Sequence, residues 1–316
     1  MTQPMPTPPA PLLAQPLAAQ PAFVQPGQPP PEAGEPLQIV TEDGTALAGC
    51  VYAARGPARG AVLLVPAMGV PQSYYAAFAR WLASRGFHTL TFDYRGMGLS
   101  RRGSLRGLEV DIIGWGEQDA QAALRALTAR APGLPVTWIG HSLGGQIVPF
   151  VRDREAVTKV ITVAAGSGYW RDNAPALRRK VWIFWWAAVP VMTPVFGYFP
   201  GRRLGMVGDL PRGVIQQWRR WCLHPDYAVG DGEPMRARFA EVTTPITSLS
   251  FTDDEMMSEA NIRSLHGFYV NAPRSLLRLD PGEQGLRRIG HFGFFKQDPQ
   301  EPLWAKYVTP ELATKE

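Results

Sequence analysis

The stretch "WIGHSLGGQIV", residues 138 to 148, places a serine between glycines at 140 and 144, directly after the apolar run "PVTWI". A strand that turns sharply into a helix leaves no room for side chains two residues either side of the turn. The glycines meet that demand, and Ser142 is left at the tip, exposed and strained. The helix expected after it points free N–H groups and the positive end of its dipole at the same spot. A bare Gly-x-Ser-x-Gly pattern also arises in ordinary turns. Here it lies between a buried strand and the apolar "QIVPFV", the context a nucleophile requires, so Ser142 is a candidate nucleophile.

Outward from this point, β-rich runs alternate with helical ones. "GAVLLVP" (60–66), "FHTLTFD" (87–93), "PVTWIG" (135–140), "KVITVAA" (159–165), "PITSLSF" (245–251) and "RSLLRLD" (274–280) read as buried strands. "LQIV" (37–40) and "LAGCVYAA" (47–54) read as an opening antiparallel pair, and "YYAAFARWLASRG" (74–86) and "DIIGWGEQDAQAALRALTARAPG" (111–133) as helices. Alternation of this kind predicts an α/β fold, a mostly parallel central sheet with helices on both faces. Ligands of such sheets gather at the carboxyl ends of the strands.

At 316 residues, 45% hydrophobic and 19% charged, the chain is long enough for one large domain or two small ones. Residues 1–36 are dominated by Pro, Ala and Gln, carry two charges and have no periodicity, which predicts a disordered tail ahead of a domain over 37–316. No Lys or Arg precedes Arg55 and every apolar run in the tail is interrupted, so a signal peptide is not expected. Cys50 and Cys222, 172 positions apart with no second pair, point to a reducing, cytoplasmic setting. The five histidines include no i, i+4 pair, so no metal site is expected, nor a nucleic-acid partner.

A serine hydroxyl needs a base to take its proton and an acid to orient that base. In sheets of this class the chain order is Ser, Asp or Glu, then His. His224 lies before the penultimate strand and His266 in a helical stretch, whereas His291 sits in the glycine-flanked "RIGHFGFF" beyond the last strand and takes the base's place. The acid should follow "PITSLSF", where "TDDE" (252–255) offers both Asp253 and Asp254. An oxyanion requires backbone donors. Leu143, next after the serine, supplies one, and Met68 in "PAMGV" after "GAVLLV" the other, although Pro66-Ala67 stands where many such enzymes carry His-Gly.

"VPAMGVPQSYY", "FDYRGMGLS", "GHSLGG", "GYFPGRRLG", "DLPRGV" and "RIGHFGFF" together resemble a bacterial family of predicted α/β hydrolases, related to the serine aminopeptidase and monoacylglycerol lipase-like group. The similarity covers roughly 37 to 306. It implies the α/β-hydrolase fold and a triad falling on Ser142, Asp254 and His291. Asp253 is then left to accept backbone N–H bonds in the turn.

Residues 168–243 are expected to form a mainly helical cap insertion over the strand ends. It holds Trp170, Trp182, Trp185, Trp186, Trp218 and Trp221, and between 171 and 220 nine Arg or Lys against two Asp. Trp182, Trp185, Trp186 and Trp218 are the expected pocket residues, suited to an acyl chain with a polar or anionic group. The plainer reading is that the arginines solvate the cap and the tryptophans fill its core. "VWIFWWAAVPVMTPVFGYF" (181–199) is long enough for a membrane span, but a span would separate Ser142 from Asp254 and His291. Pro190 and Pro194 fit a bent helical pair instead, with a peripheral membrane contact as the alternative. In "DLPRGVIQQWRRWCL" (209–223), Asp209 is placed to cap a helix with Pro211 in its first turn and Val214, Trp218 and Trp221 on one stripe.

These residues imply a serine hydrolase cleaving a small ester or thioester with no cofactor. An acyltransferase with an alcohol or thiol acceptor uses the same residues, and a non-catalytic, membrane-associated lipid-binding protein is the alternative of another class.

Overall fold

The computed structural model describes residues 34–205 and 208–314, the side chains of 298–300 excepted. The expected tail lies, up to residue 33, outside the described residues. Strands follow in the order β1 (Glu35–Val40), β2 (Ala46–Tyr52), β3 (Gly60–Val65), β4 (Phe87–Phe92), β5 (Val136–His141) and β6 (Val157–Val163). A two-residue ribbon, β7 (Tyr198–Phe199) and β8 (Leu210–Pro211), precedes β9 (Ile246–Phe251) and β10 (Arg274–Leu279). All eight expected strands form, the first beginning at Glu35 rather than Leu37.

The eight-stranded sheet runs β1-β2-β4-β3-β5-β6-β9-β10. β1 and β2 pair antiparallel, β2 meets β4 antiparallel, and every later pairing is parallel. β3, β5 and β9 are buried along their whole length, the environment that a continuous apolar run requires. Alternate residues serve opposite faces. Leu63, Val65, Trp138 and Val160 join one core, while Val62, Leu64, Ile139 and Ile161 join the other.

Helix Ala76–Ser84 buries Phe78, Trp81 and Leu82 on the second core, where Phe78 meets Phe294, Phe295 and Trp304 edge-on. The helical run 112–130 covers the first core, with Asp111 Oδ1 accepting from Gly114 N at 2.8 Å to cap it and a π stretch at Trp115–Ala120. Helix Glu259–Gly267 starts at a capping box on Ser258 and buries His266 near its end. There the imidazole Nδ1 donates to Ile262 O at 2.7 Å and Nε2 lies 2.9 Å from Thr162 Oγ1, so His266 is a core residue.

Between β6 and β9 lie helical segments at Pro175–Ile183, Val189–Phe196, Arg212–Leu223 and Glu233–Ala240. The expected bent pair over 181–199 is instead one helical run, 175–196, widened by a π turn at Phe184–Ala188. Pro190 explains the irregularity. Val189 N reaches back five residues to Phe184 O, and the next donor in that pattern is missing because proline has no N–H. Trp185 O accepts from Arg219 Nε at 2.6 Å instead. Among the described residues no helix is long and apolar enough to cross a membrane.

Asp209 does not cap the helix that begins at Arg212. Its carboxylate takes Arg101 Nη1 at 2.9 Å and Arg202 N at 3.1 Å, and Pro211, the residue at the helix's N-cap, supplies no side-chain bond. The expected inward stripe does form, with Val214 and Trp221 buried and Trp218 packed against the same core.

Candidate active site

Ser142 follows β5 with φ of 49°, a left-handed conformation that a side chain other than glycine's adopts only under constraint. The constraint is visible around it. A Cβ on Gly140 would lie 2.3 Å from Gly144 O, and one on Gly144 would lie 2.1 Å from Val65 O, so both positions must be glycine for the chain to turn back beneath β3.

The regular helix expected after Ser142 is absent. Two 3₁₀ turns, Ser142–Gly145 and Val148–Phe150, take its place. An α-helix here would need a donor at residue 149, and Pro149 has none. The carbonyls such a helix would use find other partners: Trp138 Nε1 donates to Gly144 O at 2.9 Å, and Tyr269 OH to Gly145 O at 3.3 Å. A helix dipole therefore contributes less at Ser142 than the sequence suggested, and local N–H groups carry more of the electrostatics.

His291 Nε2 lies 3.1 Å from Ser142 Oγ, and its Nδ1 lies 2.9 Å from Asp254 Oδ2 and 3.1 Å from Oδ1. The Asp254 carboxylate also accepts from Met256 N at 2.7 Å and Met257 N at 2.9 Å, all through Oδ1. Asp253 points elsewhere. It accepts from Ile289 N at 2.8 Å and Gly290 N at 3.0 Å, bonding the loop that carries His291 and not its own turn. Glu255 completes the set by accepting from His291 N at 3.1 Å and pairing with Arg288 at 3.2 Å. Of three successive acids, Asp254 and Glu255 thus hold His291 by its ring and its backbone N–H, and Asp253 holds the two residues before it. Gly290, at φ of 62°, makes the bend possible.

His141 was missed by sequence reasoning, being hidden as the variable residue of the glycine-serine pattern. Its Nε2 faces His291 O at 2.9 Å and so must carry the hydrogen; Nδ1 then accepts from Tyr75 OH at 2.9 Å, whose oxygen accepts from Ala67 N at 2.9 Å. This buried chain ties the loop after β3 to the backbone of His291. It also occupies the N–H of Ala67, and Met68, the next residue, lines the cavity at Ser142. Burial, with a smaller contribution from His291, pushes the His141 imidazole down to about 3.

Burial likewise pushes His266 down to about 4, so both histidines stay neutral in the folded chain where the unfolded chain takes up protons near 6.5. Stability is then complete above that value. It falls as pH drops through it, by about 1.4 kcal/mol per pH unit for each histidine, until the folded-state values are reached. Denaturant midpoints should decline steadily from about pH 7 to about pH 5. A flat profile would show that neither imidazole is held neutral.

The cavity at Ser142 encloses about 30 Å³, room for about two waters. Met68, Leu143, Trp218, Met256, Met257 and Phe292 are among its lining residues. Of the four tryptophans expected there, Trp218 alone lines it. Trp185 is buried behind Trp218 with ring centroids 5.0 Å apart, and Trp182 and Trp186 face outward. Gln146 also reaches the cavity, held by Tyr227 OH at 2.8 Å and by its own bond to Gly166 O at 2.8 Å. Its position four residues after Ser142 was the signal that could have found it. Met256 and Met257 carried no signal beyond adjacency to Asp254. His224 is elsewhere, its Nδ1 accepting from Asp226 N at 3.1 Å.

Residues 56–195 match the family described as serine aminopeptidase, S33. An uncharacterized protein of Escherichia coli, YfhR, is 29% identical over 168 residues, 46% of this chain and 57% of that protein's length. Among solved structures, DcsB in complex with its substrate analogue superposes with a TM-score of 0.58 at 16% identity, covering 89% of this chain and 100% of that one. A soluble variant of monoglyceride lipase from Saccharomyces cerevisiae does so with 0.57 at 17%, covering 78% and 85%. At such identities the structural likeness speaks for the fold alone. The mostly parallel sheet and the sharp turn at Ser142 give the chain the α/β-hydrolase fold, and over residues 56–195 it is similar to the serine aminopeptidase S33 family.

Proposed function

We propose that the chain is a serine hydrolase that cleaves an ester or thioester through an acyl-enzyme, with Ser142 as nucleophile, His291 as base and Asp254 as its orienting acid. The observation that carries this reading is His291 bridging Ser142 Oγ at 3.1 Å and Asp254 Oδ2 at 2.9 Å. His291 Nε2 takes the hydroxyl proton as Oγ attacks the carbonyl carbon. Met68 and Leu143 N–H hold the oxyanion, and the proton then passes from Nε2 to the departing alcohol or thiol. Water, deprotonated by the same nitrogen, attacks the acyl-serine and releases the acid. Asp254 holds Nδ1–H in place, keeping Nε2 free to accept. None of these steps calls on a cofactor.

A cavity of about 30 Å³ has room for little beyond the reacting carbonyl, so an acyl chain must displace Trp218, Met256 or Met257, the more of them the longer it is. Short acyl esters are the substrates this favours. The two free cysteines, Cys50 and Cys222, suit a reducing, cytoplasmic setting. The test is fluorophosphonate labelling of the full chain, followed by turnover of p-nitrophenyl esters of increasing acyl length, with and without added alcohol or thiol. Labelling and acceptor-independent turnover of short esters are expected. Failure to label would leave a non-catalytic binding protein, and turnover only with acceptor an acyltransferase.

A further inference from the structure

The helical run 175–196 is apolar on both sides, and among the described residues one side is largely exposed, Trp186 alone of its side chains meeting another ring, that of Trp170 at 5.2 Å. Val181, Phe184, Trp185, Val189 and Thr193 are buried, Trp185 against the Trp218 that lines the Ser142 cavity. The opposite side exposes Trp182 by 51%, Ile183 by 51%, Val191 by 59% and Val195 by 65%, with Trp186 between them. The buried side is fully engaged, so the run cannot roll over to hide the exposed one. Apolar side chains gathered on one exposed face mark a surface that meets another phase or partner.

Charge identifies the partner. From 173 to 208 the sequence contains no Asp or Glu, and both ends of the apolar run are basic, with Arg178, Arg179 and Lys180 before it and Arg202 and Arg203 after it. All five are exposed, and among the described residues none of them forms an ion pair. The acid that follows, Asp209, is already paired with Arg101. Tryptophans adjoin the first basic cluster, the arrangement in which indoles sit at headgroup depth while cations meet lipid phosphates. We infer that the outer face of the 175–196 run docks the protein on an anionic lipid bilayer, lying in its surface without crossing it. This goes beyond the hydrolase reading and does not depend on it.

The full chain should co-sediment with phosphatidylcholine vesicles containing phosphatidylglycerol, and less with phosphatidylcholine alone. Each basic residue near an anionic surface adds roughly five-fold to partitioning, and added salt should weaken that share. The Trp182→Ser, Ile183→Ser chain should partition at least about ten-fold less. So should the Val191→Ser, Val195→Ser chain, which alters the most exposed positions and serves if the first variant melts early. The Ser142→Ala chain should bind as the native one does, so a failed hydrolase reading is told apart from a failed docking surface. Equal binding to both vesicle types, no binding, or full binding by the serine variants overturns the inference. So does a dimer in light scattering that the same variants dissociate, since the occupant would then be a second copy.

Discussion

Ser142→Ala is expected to lower ester turnover by at least about 10,000-fold and to abolish fluorophosphonate labelling, with the fold intact. The loss is chemical: alanine keeps the backbone turn but removes the oxygen 3.1 Å from His291 Nε2. Little packing goes with it, since Ser142 is only partly buried at the tip of the turn. The strain stays too, because alanine at φ of 49° suffers as serine does. The melting temperature should therefore hardly move. Ser142→Gly separates strain from chemistry. It relieves about 1 to 2 kcal/mol of left-handed strain against the roughly 0.5 to 1 kcal/mol that a freer unfolded chain costs. That variant should be equally inactive and melt at or slightly above the native temperature. Activity within tenfold of native in either variant would remove Ser142 from the mechanism, and a large fall in melting temperature for Ser142→Gly would contradict the strained turn.

The sheet was legible because its inner strands are buried on both faces, which forces apolar continuity, and because the glycines around Ser142 answer a backbone clash that no other residue avoids. Chain order and strand ends pointed to His291 and to the pair Asp253 and Asp254, and the family resemblance chose Asp254 between them. Helix faces were less readable. Across 181–199 there is no charge on either side, so nothing in the pattern says which face turns inward, and Trp182 and Trp186 were expected in a pocket they do not reach. The missing helix after Ser142 did have a signal in Pro149, outweighed by the familiar strand-turn-helix pattern. His141 was hidden for another reason: its contacts, Tyr75 and the backbone of His291, lie 66 and 150 positions away, and no local spacing records them.

Asp254→Asn should lower turnover by about 1,000- to 10,000-fold, and Asp253→Asn by far less, although the two stand side by side. Their partners differ in kind. Asp254 Oδ1 already accepts Met256 N and Met257 N, so an asparagine there keeps its carbonyl on those donors and turns its NH₂ toward His291 Nδ1. Two donors cannot face each other. The ring must shift its hydrogen to Nε2, where it points at Ser142 Oγ and can no longer accept the hydroxyl proton. The fold should survive, because the turn's backbone bonds remain. Asp253 instead accepts from Ile289 N and Gly290 N, and an asparagine oxygen can still take one of them. Glu255 meanwhile continues to hold His291 N. The cost there falls on how firmly the loop is held, a lower melting temperature and a modest loss of rate, with the tautomer untouched. Rates and melting curves for both variants distinguish these roles. If Asp253→Asn is the slower enzyme, the orienting acid is Asp253 and the geometry at His291 must change during turnover.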